Sequence, residues 1–125
     1  MKFTRANYNP KENKVGDCVV RAIMRAENKT WLEVYDELCA VGRTLCAMPN
    51  DQVTYQKYLE TLGWQKQKMP RFPNYSRYTV EEFADEFDNN TFIVSIANHL
   101  TIIDDGELFD SWNCGYKSVG NIWKR

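Results

Sequence analysis

The spacing of apolar positions changes period part way along the chain. Between residues 17 and about 27, Val19, Val20, Ala22, Ile23, Met24 and Ala26 cover most of a helical circumference, and only Arg21 and Arg25 interrupt them strongly; the spacing predicts a central, largely buried helix. Thr30 and Glu33 stand at capping-box spacing and Gly42 offers a stop, which predicts a second helix from 31 to about 41 with Leu32, Val34, Tyr35, Leu38 and Cys39 as its stripe. A third helix is expected after Asn50 or Asp51, with Val53, Tyr55, Tyr58, Leu59 and Leu62 on one side and Gly63 as its end. The stretch MPRFPNYSRY holds two prolines and reads as a loop. A capping box recurs at Thr79 and Glu82, opening a short helix to about Phe87.

The period then shortens. TFIVSI is a β-rich apolar run, HLTIID follows it, and Asp105-Gly106 is the strongest hairpin dipeptide in the chain before ELFDSW. A last strand is expected near residues 119–123. Helices first and an antiparallel sheet second make an α+β fold, in a single domain over residues 1–125 with 1–14 as an irregular polar arm.

Composition narrows the function classes. The chain has 125 residues and a net charge of -1, from 16 Lys plus Arg against 17 Asp plus Glu. No basic block is present, so a nucleic-acid partner is not expected. No stretch has the length and apolarity of a membrane span, and residues 1–14 lack the apolar core of a secretory leader, so a cytoplasmic protein with no membrane partner is expected. In that setting Cys18, Cys39, Cys46 and Cys114 are expected as free thiols. Zinc held by Cys39, Cys46, Cys114 and His99 is disfavoured because no Cys-x-x-Cys pair exists, and no metal or organic cofactor is expected. Cys39 reads as core and Cys46 as a surface thiol.

Candidate chemistry begins at Cys18. Asp17 is its expected N-cap, and the amides and dipole of a helix start stabilise an anion, which turns a thiol into a nucleophilic thiolate. His99 is the only histidine. With Asp105 and Gly106 as a two-residue turn, Asp104 pairs with Glu107 and Asp110 falls on the face of His99, one diagonal away; with Asp104 and Asp105 as the loop, Asp110 faces His99 directly. Either register gives the imidazole a carboxylate. Trp112, two residues on, is expected to wall the His99 side of a cleft. Arg21, one turn after the thiol, is expected to pair with an acid such as Asp36, and the 70–78 loop has the make-up of a cleft rim.

A nucleophile on a helix start, a base on a strand and an orienting acid on the next strand form an arrangement that activates a thiol for acyl transfer. The order Cys18, then His99 about eighty residues on, then Asp110, together with the Asp17-Cys18 step, resembles the papain-like cysteine peptidase superfamily, above all its compact bacterial and phage type such as the peptidases that clip double-glycine leaders. The resemblance implies a papain-like fold, a peptide or protein substrate, and a Cys18-His99-Asp110 triad. It also implies an oxyanion donor about six residues before the cysteine, commonly glutamine. Glu12 stands there, and a carboxylate would repel the oxyanion, so Asn13 is the expected donor, with Asn7 and Asn9 as further choices. Asp17 and Trp112 are the expected cleft residues. Two alternatives share the scaffold: an amidase or transglutaminase-like acyl transferase, and a catalytically inactive binding protein of phage or mobile-element origin.

Overall fold

A computed structural model describes residues 1–74 and 76–125. Its elements run β1 (Lys2–Arg5), α1 (Cys18–Glu27), α2 (Trp31–Leu45), α3 (Gln52–Thr61), β2 (Gln65–Gln67), α4 (Val80–Glu86), β3 (Thr91–Ile96), β4 (His99–Asp104), β5 (Glu107–Asp110) and β6 (Ile122–Lys124). The α+β class expected from the periodicity holds. The sheet is mixed rather than purely antiparallel: its six strands run in the order β1-β5-β4-β3-β6-β2, and β1 lies parallel to β5.

The arm is therefore not wholly irregular. Lys2–Arg5 extends the sheet with Phe3 opposite Leu108 and Arg5 opposite Asp110. Met1 and Phe3 pack on the core, which supplies the burial that a four-residue strand cannot provide by itself. Its neighbour β5 was legible. Asp105 and Gly106 take left-handed conformations (φ 48° and 78°), and the resulting two-residue turn sets Asp104 opposite Glu107 and Ile102 opposite Phe109.

Both capping boxes form, at Thr30/Glu33 and Thr79/Glu82. Gly42 does not end α2. A side chain there would meet the Ala47 carbonyl at 2.7 Å, so its bareness admits the following loop, and the helix runs on to a left-handed Cys46. The α2 stripe also differs from the expected one: Val34, Leu38 and Gly42 are buried, whereas Leu32 and Tyr35 face outward. On α3, Tyr55, Tyr58 and Leu59 are buried and Val53 is exposed. The expected strand at 119–123 is β6, shifted toward the C-terminus, and β2 had no apolar pattern to reveal it. The expected 69–78 loop is irregular apart from a main-chain bridge between Arg71 and Arg77, and its Tyr75 lies outside the described residues.

Alternate residues of the central strands enter two cores. Ile93, Leu100, Ile102 and Trp123 pack with α1, α2 and α3; Phe92, Val94, Ile96, Ile103, Leu108 and Ile122 pack with α4. No helix among the described residues is long and apolar enough to cross a membrane.

Candidate active site

The β4–β5 register determines what meets His99. Continuing the pairs outward from Asp104–Glu107 sets Thr101 opposite Asp110, with His99 two residues further on the same face. His99 Nε2 lies 2.6 Å from Asp110 Oδ2, and Thr101 Oγ1 donates to the same oxygen at 2.6 Å. The other carboxylate oxygen accepts from the Ser111 amide at 2.6 Å and stands 3.4 Å from Arg21 Nη1. β1 fixes the end of β5 from the outside, since the Ala6 amide donates to the Asp110 carbonyl at 2.8 Å.

Cys18 comes from the other side, as the first residue of α1. With Nε2 held by Asp110, Nδ1 is the ring nitrogen left for a second partner, and His99 and Cys18 line the same cleft. Burial pushes the Cys18 thiol up, but hydrogen bonds from His99 and the Leu100 amide, and then the charges of His99 and Arg21, outweigh it, so the pKa falls below its ordinary 9.0. Burial likewise opposes a charged His99; hydrogen bonds with Asp110, Cys114 and Cys18 and the Asp110 charge overcome it and push the imidazole up to about 11. Asp110 is raised by burial and lowered further by His99, Thr101 and the Ser111 amide, so it stays a carboxylate. These shifts favour a resting thiolate–imidazolium pair beside an ionised acid.

Asp17 does not act as the expected cap. Its side chain makes no capping hydrogen bond. It accepts from Trp31 Nε1 at 2.9 Å and Asn9 Nδ2 at 3.4 Å, and sits 2.9 Å from Arg21 Nε. That last contact is an ion pair without an aligned N–H, since Arg21 Nε lacks a geometrically sound hydrogen bond. Arg21 thus spans Asp17 and Asp110 instead of pairing with Asp36. The Asp17 side chain therefore does not occupy the first-turn amides of α1, and Cys18 and Val19 of that turn both line the cleft at this helix start.

A cleft of about 780 Å³ opens in front of the pair, between the starts of α1 and α3, the β3–β4 turn and the chain before β6. Cys18, His99, Tyr55, Gln52, Asn98 and Asn121 are among its walls. Burial and then the Cys18 charge keep the Tyr55 phenol protonated. Arg77 of the expected rim loop also lines the cleft. None of its described walls comes from residues 1–14: Ala6 and Tyr8 line only a small void behind Cys18 and Asp110.

Asn13, the expected oxyanion donor, is exposed and is not among those walls. Its amide donates to Asn9 Oδ1 and its carbonyl accepts from Asn7 Nδ2, so these three asparagines and the turned Glu12 shape the arm. Asp17 is buried behind the cleft. Trp112 covers the imidazole, ring centroids 5.1 Å apart, without lining the cleft itself.

Cys114 escaped sequence reasoning, because nothing local marks a thiol in an irregular segment. It is fully buried, with Sγ 3.9 Å from Asp110 Oδ2 and close to the His99 ring. His99, Asp110 and Cys114 present ligand atoms within 4.8 Å of one another, a set different from the one composed of Cys39, Cys46, Cys114 and His99. Two ligands about 2.0 Å from a tetrahedral zinc stand roughly 3.3 Å apart. The His99–Asp110 separation of 2.6 Å is that of a hydrogen bond, and Arg21 supplies a competing cation. Thr101 was also missed, although the register argument that selected Asp110 places it directly opposite.

Comparison with protein-family models, with curated proteins and with solved structures finds no match to this chain.

Proposed function

We propose that the protein is a cysteine-dependent hydrolase of peptide or isopeptide bonds, built on a papain-like plan, with Cys18 as nucleophile, His99 as acid–base and Asp110 as orienting acid. The observation that carries this reading is the placement of His99: Asp110 lies at 2.6 Å on one side of the imidazole, and on the other Cys18 shares its cleft at the start of α1, with a thiol pKa lowered below 9.0. In the proposed cycle the Cys18 thiolate attacks the carbonyl carbon, and the new oxyanion is held by the Cys18 amide and its first-turn neighbour. His99 gives its proton to the amine as the C–N bond breaks. Neutral His99 then takes a proton from water, whose oxygen attacks the thioester; the acid product leaves and the ion pair is restored. Arg21 is a positioning residue, since it holds Asp110 and adds positive charge near the sulfur.

The test is alkylation by iodoacetamide, followed residue by residue by mass spectrometry across pH. Cys18 should react faster than the exposed Cys46 near pH 6, with a midpoint below the ordinary 9.0 of a thiol. His99→Ala should move that midpoint upward and slow Cys18 about 100-fold near neutrality. Equal reactivity of Cys18 and Cys46, unaffected by His99→Ala, would overturn the reading. A second reading, a cleft-binding protein without turnover, draws on one observation, the absence of Asn13 from the described cleft walls. Rapid Cys18 alkylation with no hydrolysis across a diverse peptide library would favour it.

A further inference from the structure

The charged residues that face the cleft are unevenly matched. The Cys18–His99 pair is neutral as a unit. Beyond it the described walls carry one carboxylate, Asp51, and two cations, Arg77 and Lys117. Asp51 is already engaged: its Oδ2 accepts from the Met48 amide at 3.0 Å. Arg77 and Lys117 are both exposed, and neither has a carboxylate partner among the described residues. Lys117 Nζ stands over the Tyr116 ring, 5.3 Å from its centroid, and Arg77 is held through its main chain opposite Arg71. The remaining polar walls, including Asn50, Gln52, Asn98 and Asn121, are uncharged. Elsewhere the molecule does pair basic side chains that reach partly buried ground, as Arg21, Arg25, Lys29 and Arg125 all do. Two exposed cations on one concave cleft, without a carboxylate partner among the described residues, will favour an anionic occupant and repel a cationic one.

We infer that the cleft selects acidic peptide segments, with Arg77 and Lys117 receiving Asp or Glu side chains that flank the carbonyl presented to Cys18. The inference rests on the thiol-hydrolase reading and adds the substrate class to it. It assigns to these two residues recognition, with no part in bond making.

Three peptidyl chloromethyl ketones, identical except for Glu, Gln or Lys beside the reactive group, test it on the intact chain. Each alkylates by thiolate displacement of chloride, so the rate of Cys18 modification reports cleft occupancy without a known substrate. At low salt the Glu probe should react about tenfold faster than the Lys probe, with Gln between them, and the gap should shrink as added salt screens the cations. The double variant Arg77→Glu/Lys117→Glu should reverse the order. Equal rates for the three probes, a faster Lys probe, or an order unchanged in the double variant would overturn the inference; the salt dependence of the wild-type order decides the matter if the double variant does not fold. Iodoacetamide, small and neutral, separates the two layers. If Cys18 keeps its selective reactivity toward it while the charge order fails, acid selection alone is wrong. If that selectivity is also absent, the thiol reading falls and this inference with it.

Discussion

The two faces of the sheet are built by different routes. The core on the helical face draws on one continuous stretch, α1 through Trp64, with Val19, Val20, Ala22, Ile23, Val34, Leu38 and Leu59 packed against Ile93, Leu100 and Ile102. The opposite core is assembled from separate pieces: Met1 and Phe3 from the chain start, the aromatic group Phe72, Tyr78, Phe83, Phe87 and Phe92, and Cys114 and Val119 from irregular chain. The candidate site joins the two. Cys18 packs with the first core, whereas Trp112 and Cys114 belong with the second. The helix start that carries Cys18 and the hairpin that brings Asp110 to His99 are set locally, whereas Trp112 and Cys114 lie in a core gathered from distant segments.

Three substitutions probe that division, in descending order of expected effect. Phe83→Ala empties the centre of the ring cluster, where Phe83 is 1% exposed and meets Tyr78, Phe87 and Phe92. It should cost about 3–5 kcal/mol in urea unfolding, with the pH midpoint of Cys18 alkylation unchanged in the folded fraction. A shifted midpoint would show that the aromatic core acts directly on the thiol.

Asp110→Asn keeps the shape and removes the charge on which His99, Thr101, Arg21 and the Ser111 amide converge. A loss of about 2–3 kcal/mol is expected near neutrality. Its pH dependence follows from the two shifts. The depressed Asp110 pKa contributes stability above about 3.8 that is lost as pH falls through its lower folded value. The raised His99 pKa contributes stability that is full below 6.5 and lost as pH climbs toward about 11. The variant should therefore lose the acid limb and flatten the alkaline one; unaltered limbs in denaturation curves taken from pH 3 to 10 would remove Asp110 from this role.

Thr101→Val is the mildest. It deletes one buried donor to Asp110 and should cost about 1–2 kcal/mol, with Cys18 alkylation changed less than by Asp110→Asn. A larger effect on the thiol than that of Asp110→Asn would mean that Thr101, not the acid, sets the imidazole.

What the sequence disclosed follows the same division. The capping boxes of α2 and α4 and the Asp105-Gly106 turn are local signals, and the turn narrowed the hairpin to two registers, both bringing Asp110 to His99, of which the structure has the one with Asp104 opposite Glu107. Local signals also misled. Asp17 has the type and place of a cap, yet Arg21 and Trp31 outbid the helix amides for its carboxylate. Gly42 resembles a helix stop but serves a close chain approach. β1 and the place of Cys114 beside Asp110 were invisible because burial by distant segments creates them, and neither a four-residue strand with only Phe3 and Thr4 half-buried nor a lone thiol carries a periodicity. Arg21 was halfway legible: its spacing from Asp17 is that of helix neighbours, but its reach to Asp110 belongs to the tertiary fold.

The sealed position of Cys114 makes the molecule its own opening gauge. Its sulfur lies 3.9 Å from the Asp110 carboxylate inside the second core with none of the residue accessible, while Cys46 stands in solvent and Cys18 at the cleft. With the half-buried Cys39 set aside, a thiol reagent applied to the native protein therefore counts three different events. Cys46 reports reagent supply, Cys18 reports the chemistry of the cleft, and Cys114 is modified only as often as the second core breathes apart.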